Sequence, residues 1–560
     1  MSGAAASVLL LGALIAGTAA AQAAGDTAGV PTVVTAIRIV NGDVIPPWSE
    51  EAQQDHGAVA RFGYSVANWL HVATQRHVIE RELLVSIGDT LDSTALAESE
   101  RNLRAYPFIN EAHVYAVPTR RGEAEVHVRT SDNFTLAPGI IWERGGGAQD
   151  LGVIVVENSF LGLGKRVAGE YIHGTYRSTW LGEYRDPQLF GTRWTLATAA
   201  SHAGTDDAFA IEAKHPFRTF EARTAGGGKM TFFDGLTKRW RNEETIAELP
   251  TRWWHGEAWA AHAWGEPSLR AKVTAALAID DVRFPGIISL PGDWLPRDTL
   301  RLPRRAIEPT ITLGGDGFRG FHRRESLDDC GVVEDVEAGW DGGVVLGVGL
   351  PSEPTRRVYG IVGFGGRWTN VSGDHVTAID VRTRVRLRDD AGSGRRPWSN
   401  LTTDAFLHHY WQGLPSQTLA LSVGWRGGWR VDPPYQLILG GDVGLRGYPA
   451  YRFEGTRRLL VNLEDRVFTP LRLFTLRLGG VVFADAGYVW PPGQPVRPGD
   501  LRADAGFGLR VYNTRASTAR VSRLDLAFRL RGERGFLLSL GSEQLFDLLN
   551  LRPTPTTKVP

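Results

Sequence analysis

Arg446, Glu464 and Asp485 are the ionisable residues whose spacing sets up the most definite chemistry in this sequence. Arg446 stands in GGDVGLRGYPAY, ahead of Gly447 and Tyr448. Glu464 lies in a stretch that alternates as a strand. Leu459, Val461 and Leu463 mark one face of it, and Leu460, Asn462, Glu464 and Arg466 the other. Asp485 follows twenty-one residues later in VVFADAGYVW, where Val482, Ala484, Ala486, Tyr488 and Trp490 share a face opposed by Asp485 and Gly487. That separation holds one strand and one turn, so the two strands are expected to be antiparallel neighbours. Two carboxylates on the same face of adjacent strands form a receptor for a guanidinium, whose planar fork makes directional, charge-assisted bonds. Gly447 would let the backbone turn tightly, and Tyr448 would pack on the strands. The chemistry is that of a clasp, not of catalysis.

Other reactive types offer less. His408-His409 and the Trp253-Trp254-His255 run lack the Cys/His/Asp spacing of a metal site. No G-x-S-x-G elbow, Walker loop or H-E-x-x-H motif occurs. Cys330 is the only cysteine, so no internal disulfide can form; it is expected to be a loop thiol without a role. A second Arg-Gly pair lies in Phe318 to Phe321, but no paired carboxylate strands follow Arg319, which is expected at a loop or rim. No enzyme activity, cofactor or metal is expected.

The elements that would position the clasp are strands. Lys+Arg and Asp+Glu both number 62, a balance that singles out no nucleic-acid partner. The 18 tryptophans and 66 glycines suit a membrane β-barrel, with aromatics at the interfaces and glycines in turns and at lumenal positions. After residue 24 no apolar run reaches the 18 or so residues of a spanning helix, so a membrane would have to be crossed by strands. In RADAGFGLRV, Ala503, Ala505, Phe507 and Leu509 oppose Arg502, Asp504, Gly506, Gly508 and Arg510. In SRLDLAFRLR, Leu524, Leu526, Phe528 and Leu530 oppose Arg523, Asp525, Arg529 and Arg531. Charges at every second position can line a wet lumen while leucines face lipid. This pattern persists from Asn133 onward. At roughly 25 residues per strand and loop it gives about sixteen antiparallel strands.

Residues 1–23 read as a secretory signal peptide, with an apolar stretch from Val8 to Ala16 and an A-x-A site at Ala21-Gln22-Ala23. Residues 24–131 mix strand and helix. VVTAIRIV (33–40) alternates as a strand, and RHVIERELL (76–84) places Val78, Ile79, Leu83 and Leu84 on one helical face. STALAESERNLRAY (93–106) is a second helix capped by Asp92 or Ser93, and residues 109–119 and 122–130 form a hairpin. A segment of about residues 46–74 is inserted, and in it Val59, Phe62, Val66, Trp69 and Leu70 fall at helical spacing. An extra helix packed on the module is the reading preferred over a membrane-surface or lumenal helix.

The β-α-α-β-β order, carried by LLVSIGDTLDSTALAESERNLRAYPFINEAHVYAV and EAEVHVRT, resembles a polypeptide-transport-associated (POTRA) domain. The clasp resembles the sixth-loop V/L-R-G-F/Y motif of the BamA/TamA-type outer-membrane assembly and translocation superfamily. In that superfamily the motif's arginine reaches acidic residues on the next two strands. Arg446, Gly447 and Tyr448 match the loop motif, Glu464 the glutamate, and Asp485 the aspartate of F-x-D-x-G. ENSFLGLGKRVAGEYIHG and LGEYRDPQLFG resemble early barrel strands of that superfamily.

The resemblance implies a mainly β fold: one α+β POTRA domain before a 16-stranded antiparallel transmembrane barrel at residues 132–546, then a C-terminal tail at 547–560. It implies a bacterial outer-membrane location with the POTRA domain in the periplasm. It also implies a lumenal latch at Arg446 and a lateral seam between strands near Asn133–Trp142 and Gly535–Phe546. Partners would be unfolded outer-membrane or secreted polypeptides, the lipid bilayer, and accessory periplasmic proteins or lipoproteins. The implied function is insertion or translocation of polypeptides. The alternatives are a dedicated two-partner-secretion translocator, and a passive channel or surface structural protein.

Overall fold

The computed structural model describes residues 32–46, 57–145, 148–174, 178–285 (except 218 and 220), 304–352, 357–388, 397–431, 435–490 (except 442), 494–541 (except 496, 518, 519 and 533) and 544–545. The expected signal peptide, Phe546 and the expected tail lie outside this set.

The N-terminal module contains β1 (Val33–Gly42), α1 (Ala58–Leu70), α2 (Arg76–Glu80), α3 (Ser93–Arg104), β2 (Ile109–Arg120) and β3 (Glu123–Asp132). Its sheet runs β1-β3-β2, with β1 parallel and β2 antiparallel to β3. Apolar residues at alternate strand positions, Val114, Val126 and Val128, meet Ile79, Leu103 and Phe108 in one core. The Asp92 side chain caps α3 by accepting the Thr94 N–H at 2.8 Å.

Two expectations for the module need correction. The helix expected over 76–84 stops at Glu80, after which Leu83 packs on the core from a turn. Of the apolar stripe expected to seat the inserted helix, Phe62, Val66 and Trp69 are turned outward. Phe62 is 72% and Trp69 81% exposed, and the buried contact is made by Tyr64 against Val44 and Ile45. Asn68, one turn on, donates to the Ile45 carbonyl and accepts its N–H, both at 3.0 Å. A side chain satisfying both backbone groups of Ile45 fixes the helix's rotation, and an apolar count does not register that.

Strand β4 (Leu136–Gly145) begins the barrel, followed by β5 (Ala148–Glu157), β6 (Arg166–Gly174), β7 (Ser178–Asp186), β8 (Thr195–Ala203) and β9 (Asp206–His215). Longer strands come next: β10 (Thr224–Arg241), β11 (Glu244–Glu266), β12 (Leu269–Arg283), β13 (Arg304–Glu325) and β14 (Val333–Pro351). Then follow β15 (Tyr359–Ser372), β16 (His375–Arg388), β17 (Trp398–Trp411) and β18 (Gln417–Trp429). A small hairpin, β19 (Leu437–Leu439) with β20 (Phe453–Gly455), interrupts the wall. The wall ends with β21 (Arg457–Leu473), β22 (Leu476–Trp490), β23 (Arg502–Asn513), β24 (Val521–Arg529) and β25 (Phe536–Gly541).

Among the described residues these strands, apart from β19 and β20, form one closed barrel of 20 strands, not the sixteen expected. The assumed length per strand was too great for the early hairpins. Six strands of nine or ten residues fit between Leu136 and His215.

The ring closes unevenly. β4 and β5 are in register from Leu136–Glu157 to Gly145–Ala148, whereas β25 meets β4 through one registered pair, Leu540 with Arg144, among the described residues. Apolar side chains such as Val153, Ile311, Val344, Phe364, Val482 and Phe507 are exposed on the outer wall. Among the described residues, no helix is long and apolar enough to cross a membrane.

Candidate functional site: a guanidinium clasp inside the barrel

The segment between β18 and β21 enters the barrel from the mouth distal to the module. Its neck is the β19–β20 hairpin, and Gln436 ties it to the wall by donating to the Trp240 carbonyl at 2.8 Å and accepting its N–H at 3.1 Å. Leu439 and Leu445 are buried with Tyr448 and Val489. Apolar anchors thus seat the loop from which Arg446 projects.

The Arg446 guanidinium is 1% exposed. Its Nε and Nη2 donate to the two oxygens of Asp485, both at 2.8 Å, and its Nη1 donates to Glu464 Oε1 at 2.7 Å. Asp525 Oδ2 stands 3.5 Å from the same Nη1. One face of the guanidinium lies over the Phe483 ring, 3.5 Å from its centroid. A fork gripped end-on by one carboxylate, side-on by a second and stacked on a ring is a use to which only arginine is suited. Phe483 and Asp485 share the inward face of β22, as Asn462, Glu464 and Arg466 do on β21.

Gly447 and Tyr448 meet different demands. A Cβ at Gly447 would stand 2.6 Å from Asp504 Cβ, so glycine is required here by close approach. The Tyr448 hydroxyl donates to the Ala503 and Arg531 carbonyls. That bonds the loop to β23 and to the turn after β24.

Of the five residues singled out in the sequence, Arg446, Glu464 and Asp485 meet directly, while Gly447 and Tyr448 seat the loop on β23 and the turn after β24. Several partners were missed, although their lumenal face was legible. Glu464 uses its second oxygen to accept from Arg466 Nε at 2.9 Å. Asp525 accepts from Arg510 Nη1 at 2.5 Å. Asn462 Nδ2 bridges Asp485 Oδ1 and the Gly444 carbonyl, each at 2.7 Å. Alternation placed these side chains inward, but it carries no information on which inward groups meet across a barrel. Trp490, on the same face of β22 as Tyr488, is nevertheless buried, because the Trp425 and Tyr488 rings pack on it.

Arg319 lies outside this cluster: it is exposed on β13 and makes no ion pair among the described residues. His408 faces inward and is buried beside Ser422. His409 contacts His375 and Thr377, and His255 pairs with Asp280 at 2.8 Å. Cys330 is buried. Among the described residues, no group of three or more His, Cys, Asp or Glu side chains could hold a metal ion.

No protein-family model and no curated protein sequence matches the chain. Among solved structures, BamA from Haemophilus ducreyi lacking POTRA domains 1–3 aligns with 90% of this chain and 84% of its own, at 12% identity and TM-score 0.37. CdiB from Acinetobacter baumannii aligns with 91% of this chain and 73% of its own, at 10% identity and TM-score 0.42. CdiB from Escherichia coli aligns with 91% and 76%, at 11% identity and TM-score 0.43. Likenesses of this size establish neither a shared fold nor a shared activity.

Proposed function

We propose that this chain is an outer-membrane barrel that inserts or translocates polypeptides through a lateral seam, fed by a POTRA-type module on the periplasmic side. The outer wall exposes apolar side chains over many strands while charged residues face inward, the arrangement of a barrel immersed in lipid around a polar lumen. The observation that carries the reading is the contrast between a clasped lumen and a weak closure. Arg446 pins a loop inside the barrel, so the lumen is no open pipe, while among the described residues β25 meets β4 through a single registered pair. A chain passing between the aqueous side and the bilayer meets least resistance where the fewest interstrand hydrogen bonds must break. In the module's sheet the outer edge of β1 bonds residues 88–91 only near Thr32–Val34, and that of β2 is met at Ala112 and Val114 by the Arg104 and Glu100 side chains, so among the described residues the rest of each edge has no strand partner. Such edges can accept an extended peptide as a further strand.

The test is reconstitution of the full protein in liposomes with a supplied unfolded barrel protein. Accelerated folding is expected, and it should be abolished by a disulfide across Leu540→Cys and Arg144→Cys in a Cys330→Ala background. Folding rates unchanged for a range of clients would overturn the proposal in favour of a passive channel.

A further inference from the structure

The turn joining β13 to β14, on the module side, lies in the lumen. Leu327 is buried against Val336, Val376, Ala378, Tyr410 and Ala420, inward positions of β14, β16, β17 and β18. Three residues on, Cys330 is buried beside Phe468, Tyr512 and Val521 of β21, β23 and β24. Six strands (β15, β16, β17, β18, β21 and β22) stand between β14 and β23 in the ring. The turn therefore crosses the mouth as a chord and does not follow its rim.

Its backbone is held throughout. Thr418 Oγ1 donates to the Ser326 carbonyl at 2.9 Å, and Gln544, just past the last strand, donates to the Asp328 carbonyl at 2.8 Å. The Glu334 carboxylate accepts the Leu327 and Asp328 N–H groups at 2.7 and 3.1 Å. Arg466 Nη1 donates to Asp328 Oδ1 at 2.6 Å.

A bulge makes this course possible. Register shifts between Phe318 and Gly320, and the facing Gly339 and Gly320 both adopt positive φ, 154° and 135°. A Cβ at Gly339 would stand 2.3 Å from the Gly317 carbonyl oxygen. Bulges re-aim strands in this way. Beyond the bend, the side of the hairpin turned away from the lumen meets α3 of the module. Arg104 Nε lies 2.7 Å from Asp335 Oδ2, Arg101 stacks over Phe321 at 3.8 Å, and Arg323 pairs with Glu100.

We propose that the hairpin tip from Gly320 to Gly339 is an inner gate, clamped shut between α3 and the lumenal wall, and coupled to the Arg446 loop through Glu464. The coupling rests on the reading of Arg446 as a latch; the gate does not. Glu464 gives one oxygen to Arg446 and the other to Arg466, which holds Asp328. Loss of either loop leaves a buried charge short of a partner in the other's site, so the two closures favour each other. A polypeptide that draws α3 away from Asp335 would loosen the gate from outside.

Cys330, the only cysteine, reports the gate. Burial raises its thiol pKa above the ordinary value, so a shut gate gives slow thiol chemistry. The full chain in liposomes, without any client, is treated with a membrane-impermeant maleimide, and its conductance is read in planar bilayers. Asp328→Asn and Asp335→Asn are expected to speed labelling by about tenfold or more and to raise conductance. Arg252→Ala, at an exposed pair with Asp234 on the distal side, should change neither. If Asp328→Asn loses the folded barrel's electrophoretic mobility, Arg104→Ala, which leaves every barrel residue in place, carries the same test. Folded variants that protect Cys330 as the wild type does, or a wild-type thiol as reactive as an exposed one, would overturn the gate. Because no client is present, this failure is distinct from a failure of assisted folding.

Discussion

Gly447 lies flat against Asp504, so close that the missing Cβ would penetrate the aspartate's own Cβ. The glycine between Arg446 and Tyr448 is thus set by the facing strand β23. Gly447→Ala must push the loop off that strand and drag the guanidinium from Asp485. A loss of about 1–3 kcal/mol is expected, as for overpacking of a close-fitted site. Gly447→Ala with Asp504→Gly removes the clash and should recover much of the loss. A double-mutant cycle on heat-modified mobility measures it, and purely additive effects would contradict the contact.

Arg446→Ala leaves Glu464 and Asp485 without their shared cation. Breaking such a buried pair costs about 3–5 kcal/mol, less where lumenal water reaches the site. Arg446→Lys keeps the charge but has no fork to span Asp485 and Glu464 together, nor a planar face for Phe483. Lysine should therefore restore only part of the thermal stability, while Arg319→Ala should be silent. A lysine variant as stable as wild type would reduce the clasp to a point charge.

The orientation of α1 gives an opposed pair of expectations. Tyr64→Ala empties a buried contact with Val44 and Ile45 and should cost roughly 3–5 kcal/mol of module stability, as for large aromatic truncations. Trp69→Ala removes a larger ring that is 81% exposed and should stay within about 0.5 kcal/mol. Thermal unfolding of the two variants reads the difference, and a reversed order would turn the helix over.

What the sequence made legible follows from what periodicity encodes. Alternation gives the face of each strand, so the inward set that includes Glu464, Asp485 and Asp525 could be read residue by residue. It does not give which inward residues meet across the lumen, so the Arg466–Asp328 bond between β21 and a distant turn was invisible. Strand number failed for a related reason. A turn-to-turn average holds only for uniform hairpins, and here barrel strands run from the 6 residues of β25 to the 23 of β11. The outward turn of Phe62 and Trp69 was missed because Asn68, a polar residue, decides the packing.

Glu100 links the module's stability to pH. Burial on α3 would by itself raise its pKa, but the Val114 N–H, donating at 2.9 Å, and the guanidinium groups of Arg104 and Arg323 outweigh that, holding the carboxyl below its ordinary value of 4.5. A group lowered on folding contributes stability that is full above its unfolded value and lost as pH falls through its folded value. Docking of α3 on the hairpin at Asp335 should therefore hold at neutral pH and weaken below about pH 4.5, as the proton that Glu100 gains on release is taken up. Glu100→Gln should be less stable at pH 7 and should lose this residue's share of the acid dependence. Melting temperature followed from pH 7 to pH 3 for both chains checks it. Parallel acid profiles would show that Glu100 is not the group that senses the proton.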